Sequence, residues 1–238
     1  MAGRTTGTPD LEPRAAVPEG LSYAELLAEC RGLGLDIFGG FHPGPGEPGL
    51  PAGTATLIML GPHEPGFWAR ITAAPEWRDG GPDPLDRWSA RLIGGIAERL
   101  GAVALFPFDG PPWLPFFSWA TRTRRAWPSP VRLLVHDRAG LMVSYRGALA
   151  LGERLALPPP PAAPPCAACE GQPCRSACPV GAFTPERYDV PACHAFLDTA
   201  PGAACMETGC AVRRACPVSQ SYGRLIRQSS YHMSRFHK

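Results

Sequence analysis

Two cysteine-rich stretches decide how the C-terminal third of this chain folds: CAACEGQPCRSACP at 166–179 and CMETGCAVRRACP at 205–217. Each ends in Cys-Pro, and Cys193 lies between them, so eight of the chain's nine cysteines fall between residues 166 and 216. A proline after the last cysteine has a fixed φ and no N–H, so it ends a loop and can open a helix. The pattern indicates short loops that present thiols to shared centres.

Two sets of four thiolates match the ligand requirement of two cubane iron–sulfur clusters. The first stretch departs from the two-cluster ferredoxin run, Cys-x2-Cys-x2-Cys-x3-Cys-Pro, only by two extra residues before its third cysteine. In that run the fourth cysteine ligates the other cluster. The crossed pattern gives cluster one Cys166, Cys169, Cys174 and Cys216, and gives cluster two Cys178, Cys193, Cys205 and Cys210.

Zinc and disulfides are the alternatives for these cysteines. Tetrahedral zinc sites use similar Cys-x2-4-Cys knuckles, although two Cys-Pro closures with crossed groups are more typical of ferredoxins. Disulfides are less favoured, because residues 1–20 lack the pattern of a signal peptide and a cytosolic chain keeps its thiols reduced. The ninth cysteine, Cys30, lies in an amphipathic helix pattern and is predicted to be a buried apolar residue.

Composition limits the classes of partner. A net charge of +2 is too balanced to indicate binding to nucleic acid or to an anionic membrane surface. No apolar run approaches the roughly 20 residues that span a bilayer. We therefore expect a soluble, cytoplasmic protein with no nucleic-acid or membrane partner.

The proline-rich stretch PPPPAAPP at 158–165 marks a domain boundary, because such a sequence is stiff and extended. It separates an N-terminal domain at 19–157 from a small ferredoxin-like domain at 166–238. Residues 1–18 are polar and lack periodicity, so a flexible N-terminus is expected there.

The N-terminal domain reads as α+β. A capping box formed by Ser22 and Glu25 starts a helix that runs to the 32–34 region, and Asp83-Pro84 starts a second helix that runs to Leu100. Strands are predicted at 54–61 and 102–106, and a hairpin from 131–136 and 141–145. These elements predict an antiparallel or mixed sheet.

No phosphate-binding glycine loop or Rossmann fingerprint is present in the N-terminal domain. His42, His63 and His136 are scattered and are predicted to be surface or hydrogen-bonded residues, whereas His194 follows a cluster cysteine and either tunes the cluster or is solvated. The stretch 111–127 concentrates five aromatic residues and three arginines. It is either a core segment with an arginine face or a wall for a large, flat ligand.

Three segments taken in order, LPAGTATLIMLGPHEPGFW at 50–68, DPLDRWSARLIGGIAERL at 83–100 and PVRLLVHDRAGLMVSYRGALAL at 130–151, resemble the cobalamin-processing protein CblC. The resemblance covers about residues 35–157. The cysteine-rich segment is similar to the dicluster part of epoxyqueuosine reductases and reductive dehalogenases. Those proteins also join a CblC-like domain to two 4Fe-4S clusters, so the two resemblances agree.

The resemblance implies a flavin-reductase/nitroreductase-like α+β domain that binds cobalamin with its lower base displaced. It also implies an oxidoreductase that removes the upper axial ligand, by reductive decyanation or dealkylation, with electrons relayed by two 4Fe-4S clusters. An upstream electron donor and downstream cobalamin-dependent enzymes would be partners, and a homodimer stays open. Candidate cobalamin contacts are Trp113, Phe116, Phe117, Trp119, Tyr145 and Arg146.

The chain departs from the resemblance in two ways, and two other functions remain as alternatives. The chain is much shorter than epoxyqueuosine reductases and shows no convincing acidic proton donor for epoxide chemistry, which argues against a modified-nucleoside substrate. A cobalamin chaperone with structural or redox-sensing clusters is one alternative. A ferredoxin-type electron-transfer protein that serves a separate reductase is the other.

Overall fold

The computed structural model describes residues 20–184 and 186–238. The flexible N-terminus expected at 1–18 lies outside the described residues. Among the residues described, no helix has both the length and the apolar character needed to cross a bilayer.

The N-terminal domain is α+β, as predicted, and its main sheet is antiparallel. Its helices are α1 (Tyr23–Leu33), α2 (Phe67–Ala73), α3 (Pro75–Arg78), α4 (Pro84–Arg99) and α5 (Phe116–Arg122). Its strands are β1 (Leu35–Phe41), β2 (Thr56–Pro62), β3 (Val103–Leu105), β4 (Ala126–Pro128), β5 (Leu134–His136) and β6 (Gly147–Leu151). The main sheet has the order β1-β2-β6-β3, and β4 pairs with β5 in a separate two-stranded sheet.

The main sheet is covered on both faces, because alternate side chains of its central strands point in opposite directions. In β2, Ile58 and Leu60 join a core packed against α1, α2 and α4, while Leu57 and Met59 join a second core that contains α5. Every residue of β2 is buried. This explains why its sequence is a continuous apolar run rather than an alternating one.

Local signals predicted the two main helices correctly. Ser22 caps α1, with both hydrogen bonds of the capping box to Glu25 present, and Gly34 ends the helix in the left-handed conformation. Pro84 occupies the first turn of α4. Cys30 is fully buried in the first core, as expected for an apolar residue.

The predicted hairpin between 131–136 and 141–145 is wrong. Only His136 and Gly140 form a bridge across that turn, whereas β5 pairs with β4 and the next strand, β6, lies between β2 and β3 in the main sheet. Residues 141–145 contain no strand because their backbone groups have other partners. The N–H of Leu141 bonds to Ser219 at 2.8 Å, and the carbonyl of Met142 accepts from Arg224 at 2.9 Å.

The C-terminal segment, 166–238, is built from short helices. They are α6 (Val190–Leu197), α7 (Ala203–Thr208), α8 (Ala211–Ala215), α9 (Pro217–Ser221) and α10 (Ile226–Phe236), with 3-10 turns at Pro165–Ala168, Pro173–Arg175 and Ala200–Gly202. The stretch 152–164 before it contains no helix or strand.

The C-terminal segment packs closely against the N-terminal domain. The ring of Tyr231 in α10 lies 5.4 Å from Trp68 and 5.0 Å from Trp77, measured between centroids. The hydroxyl of Tyr222 donates to the carbonyl of Pro62 at 2.7 Å. A third, shared core combines N-terminal Val131, Val135 and Leu141 with C-terminal Cys174, Val212 and Cys216. The two parts therefore share one interior at the cysteines.

Gly140 is the point of closest approach in this junction. Its φ is +56°, and a Cβ there would collide with the backbone nitrogen of Ser219 at the start of α9. We expect Gly140→Ala to lower the free energy of unfolding by about 2–4 kcal/mol, from left-handed strain plus overpacking. Urea unfolding measures this change.

Gly80→Ala is the matched control. Gly80 has a similar φ of +67°, but a Cβ there would meet nothing within 4 Å, so only the backbone strain of about 1 kcal/mol applies. Equal losses in the two variants would show that the contact with Ser219 contributes nothing.

His136 predicts a pH dependence of stability. Its ring is buried, stacks on Phe38 with centroids 4.6 Å apart, and burial lowers its pKa to about 4. In the unfolded chain the imidazole of His136 binds a proton near pH 6.5. Burial of the neutral ring therefore stabilises the fold fully above pH 6.5, and this stabilisation is lost as the pH falls toward 4. We expect wild type to lose about 2 kcal/mol more than His136→Gln between pH 7 and pH 5, by urea unfolding. Identical losses would contradict the neutral, buried state of His136.

Candidate functional site: two cysteine-lined cavities

Four cysteines line one cavity at the junction of the two parts of the chain. It has a volume of about 280 Å³ and contains the thiols predicted for cluster one, Cys166, Cys169, Cys174 and Cys216. The 3-10 turn Pro165–Ala168 carries Cys166, the turn Pro173–Arg175 carries Cys174, and Cys216 lies just before α9. Leu141 and Val135 of the N-terminal domain close the cavity from the other side.

A second cavity, of about 250 Å³, contains the thiols predicted for cluster two, Cys178, Cys193, Cys205 and Cys210. Helix α6 carries Cys193, α7 carries Cys205, and Cys210 lies just before α8. The structure therefore brings together the same two sets of four that the crossed sequence pattern predicts. The eight cysteines are free thiols and form no disulfide.

The thiols of each set lie close enough to affect one another's ionisation. Burial raises the pKa of Cys166, and the charges of Cys174, Cys216 and Cys169 raise it further. The pKa of Cys193 is raised by burial and by the charges of Cys210, Cys178 and Cys205, against a hydrogen bond that lowers it. Four thiolates in one place repel each other, so such a set is stable when ionised only around a positively charged group.

The size of each cavity favours a group of several atoms. Within residues 20–184 and 186–238, no group of three or more His, Cys, Asp or Glu side chains is close enough together to hold a metal ion as the side chains stand. Sulfur ligands of one zinc ion lie about 2.3 Å from the metal and therefore roughly 3.8 Å from one another. Cavities of about 250 and 280 Å³ have room for much more than one water molecule, which needs about 10–15 Å³ on the same measure.

Two groups approach the sulfur atoms of the second cavity. The backbone N–H of Ala182 donates to Cys178 Sγ at 3.3 Å. Tyr188 lines the cavity together with Cys193, and burial, followed by the interaction with Cys193, raises the pKa of Tyr188. Tyr188 is held in place by Phe183, which stacks on it with ring centroids 4.2 Å apart.

Two arginines and a histidine that burial keeps neutral also line the second cavity. Arg213, Arg224 and His232 all contribute to its wall. Burial lowers the pKa of Arg224 to about 10, and the charge of Arg213 acts in the same direction. Burial, followed by the charges of Arg224, Arg146 and Arg213, lowers the pKa of His232 to about 2. Sequence reasoning missed this group, because its members come together only through the fold.

The aromatic residues proposed to contact cobalamin do not lie on one surface. Phe116 and Trp119 are 8% and 0% exposed and belong to the core beneath α5. Trp113 and Phe117 are 67% and 54% exposed. The stretch 111–127 is thus a core segment on one face and an exposed aromatic pair on the other.

Tyr145 and Arg146 are turned inward. The ring of Tyr145 packs edge-on against Phe38, and its shielded hydroxyl has no hydrogen-bond partner among the residues described. The side chain of Arg146 is 13% exposed and lies 3.3 Å from Asp86. These two residues lie at the end of the segment 141–146, whose first residues line the two cysteine cavities.

The scattered histidines are hydrogen-bonded, as predicted. His42 lies 2.9 Å from the carbonyl of Leu155, and His63 lies 3.4 Å from the carboxylate of Asp36. His194 contacts His237 at 3.0 Å between their Nδ1 atoms, and His237 in turn lies 2.8 Å from Asp198. The Nε2 atom of His194 is buried and has no hydrogen-bond partner among the residues described.

The chain matches no protein-family model, no curated protein and no solved structure.

Proposed function

We propose that this chain holds two four-iron clusters and uses them to reduce a cobalamin bound by its N-terminal domain, so that the upper axial ligand is lost. One observation carries the proposal. Each of two cavities is lined by one complete set of four thiols, and the sets are crossed along the chain. Burial of apolar side chains alone would not require eight cysteines to be divided into two crossed sets of four.

The residues present fit such clusters in donor chemistry and in the space that they enclose. When bound, each cluster supplies reversible one-electron transfer at a potential set by the charges and hydrogen bonds around its sulfur atoms. The chain supplies the eight thiolates and the N–H of Ala182, and Tyr188 lines the second cavity. The shared apolar core at Val131, Val135 and Leu141 limits the access of water to the first cavity.

The segment 141–146 provides the route into the N-terminal domain. Leu141 lines the first cavity, and Met142, Val143 and Ser144 line the second. The next residues are Tyr145 and Arg146, which the resemblance to CblC marks as cobalamin contacts. Both cavities therefore border a segment that continues, within a few residues, to Tyr145 and Arg146 in the interior of the N-terminal domain.

Cobalamin as the substrate rests on the resemblance to CblC. In the proposed reaction one electron enters Co(III) of cyanocobalamin and cyanide leaves with its bonding pair, with the electron supplied by an external one-electron donor through the clusters. The exposed pair Trp113 and Phe117 offers flat apolar area suited to a corrin edge.

Iron content tests the sorting of the thiols. In anaerobically prepared protein we expect Cys169→Ala to lose about half of the iron and acid-labile sulfide, because one of two four-cysteine sets loses a ligand. Cys30→Ala is the matched control, since that cysteine is buried in the first core away from both cavities. Zinc in place of iron, or an equal loss in both variants, would contradict the cluster assignment.

Cobalamin reduction tests the electron relay. We expect Cys178→Ala to abolish the loss of cyanide from cyanocobalamin under anaerobic reduction, while the absorbance change on cobalamin binding persists. If that variant still removed cyanide at the normal rate, the relay would be wrong. A wild type that binds cobalamin without removing cyanide would indicate a chaperone, and one that does not bind would indicate a ferredoxin-type protein.

The exposed aromatic pair tests the location of the substrate. We expect Trp113→Ala combined with Phe117→Ala to weaken cobalamin binding about tenfold, because large exposed aromatic side chains dominate such contacts. Iron content should not change. Ile226→Ala, which removes a side chain that is 63% exposed on α10, should leave the affinity as it is. Equal affinities in all three proteins would place the corrin elsewhere.

A further inference from the structure

The two cysteine cavities differ in the charge of their walls, although each offers four thiols. The second cavity is lined by Arg213 and Arg224, whose side chains are shielded from solvent on the side of the thiols. The charged residue that lines the first cavity is Glu170. The charge of Arg175 lowers the pKa of Cys174, but the side chain of Arg175 is exposed to solvent. Positive charge is therefore placed close to one set of thiols and not equally to the other.

The two arginines are fixed by backbone acceptors of the N-terminal domain. Arg213 donates to the carbonyl of Leu141, and Arg224 donates to the carbonyl of Met142 at 2.9 Å. These carbonyl groups position the guanidinium groups without cancelling their charge. The Nε of Arg224 has no hydrogen-bond partner in the described part of the chain, and Glu64 is the carboxylate whose charge acts on Arg224.

Other groups also lie against the thiols of the second set. Tyr188 lines this cavity together with Cys193, and its ring is held between Phe183 at 4.2 Å and Phe236 at 6.3 Å. The N–H of Ala182 reaches Cys178 Sγ at 3.3 Å. Donors directed at thiolate sulfur stabilise the more negative state of a cluster, because reduction increases the electron density on sulfur.

From this asymmetry we infer that Arg213, Arg224 and Tyr188 make cluster two more easily reduced than cluster one, so that cluster two is where an electron resides before it enters the N-terminal domain. The inference rests on the proposed function, since it needs both cysteine sets to hold clusters. Reduction by an external one-electron donor adds one negative charge to the cluster, and nearby positive charge in a low-dielectric site favours that addition. These residues act through the cysteines and are positioning residues.

The expected electron distribution follows from this assignment. An electron delivered to the protein should favour cluster two over cluster one by about tenfold or more, which is about 59 mV for a one-electron couple. Cluster two adjoins Met142, Val143 and Ser144, so the favoured position is beside the segment that leads to Tyr145. Cluster one would then serve as the point of entry.

Redox titration monitored by electron paramagnetic resonance tests which of the two clusters has the higher midpoint potential. Cys169→Ala retains cluster two alone and Cys193→Ala retains cluster one alone, so each midpoint potential can be assigned. We expect the higher potential in Cys169→Ala. In the protein with both clusters, Tyr188→Phe should lower one midpoint, that of cluster two, by the equivalent of a three- to tenfold change in the equilibrium constant. Arg213→Gln should shift the same midpoint in the same direction.

Two matched controls separate tuning from general damage. Tyr222→Phe removes a hydroxyl that bonds to the carbonyl of Pro62 rather than to sulfur, and it should leave both potentials unchanged. Arg214→Gln removes the neighbouring, solvent-exposed arginine and should shift cluster two less than Arg213→Gln does, because solvent screens its charge.

The outcomes distinguish the inference from the proposed function. Wild-type protein that binds no iron would overturn both. Protein with two clusters of equal potential, or with cluster one higher, would overturn the inference and leave the proposed function standing. An unchanged midpoint in Tyr188→Phe, or an equal shift in Tyr222→Phe, would remove Tyr188 from the assignment.

Discussion

The crossing of the cysteines is the constraint on which the rest of this structure depends. Cys178 follows the first loop by only a few residues, yet its thiol belongs to the second cavity, and Cys216 returns from the second stretch to the first cavity. Helices α6 and α7 carry Cys193 and Cys205, and Cys210 and Cys216 directly precede α8 and α9. Burial, followed by repulsion from the other thiols of the set, raises the pKa of Cys166, so the arrangement is favourable when a cationic group joins the thiols.

The same constraint shapes the N-terminal domain. Residues 141–142 do not form a strand because Ser219, Arg213 and Arg224 of the C-terminal segment take their backbone hydrogen bonds. The contact is close enough to require glycine at position 140. The resulting junction places both cavities against one short segment of the N-terminal domain. The two parts of the chain are therefore joined through the same residues that border the thiols.

Sequence reasoning succeeded where the signal is local. The capping box at Ser22, the apolar run of β2 and the Asp83-Pro84 start of α4 all depend on neighbours in the chain. The two sets of cysteines taken from the spacing and the Cys-Pro closures each line one cavity, and their role as cluster ligands stays a prediction. This division into two sets is the part of the candidate site that the sequence predicts best.

Other features could not be read from the sequence for physical reasons. Apolar runs at 131–136 and 141–145 look like strands, and only the distant side chains that bond to their backbone decide otherwise. Helix α5 turns Phe116 and Trp119 inward and Phe117 outward, so composition alone cannot identify a ligand wall. Arg146, Arg213 and Arg224 meet through tertiary contacts and leave no local pattern.

Native mass spectrometry of anaerobically purified chain tests the central claim most directly. The account predicts a bound mass equal to two four-iron, four-sulfide clusters per chain, with about eight irons and no zinc. A chain that carries zinc, or that carries no metal and has its cysteines paired in disulfides, would contradict it.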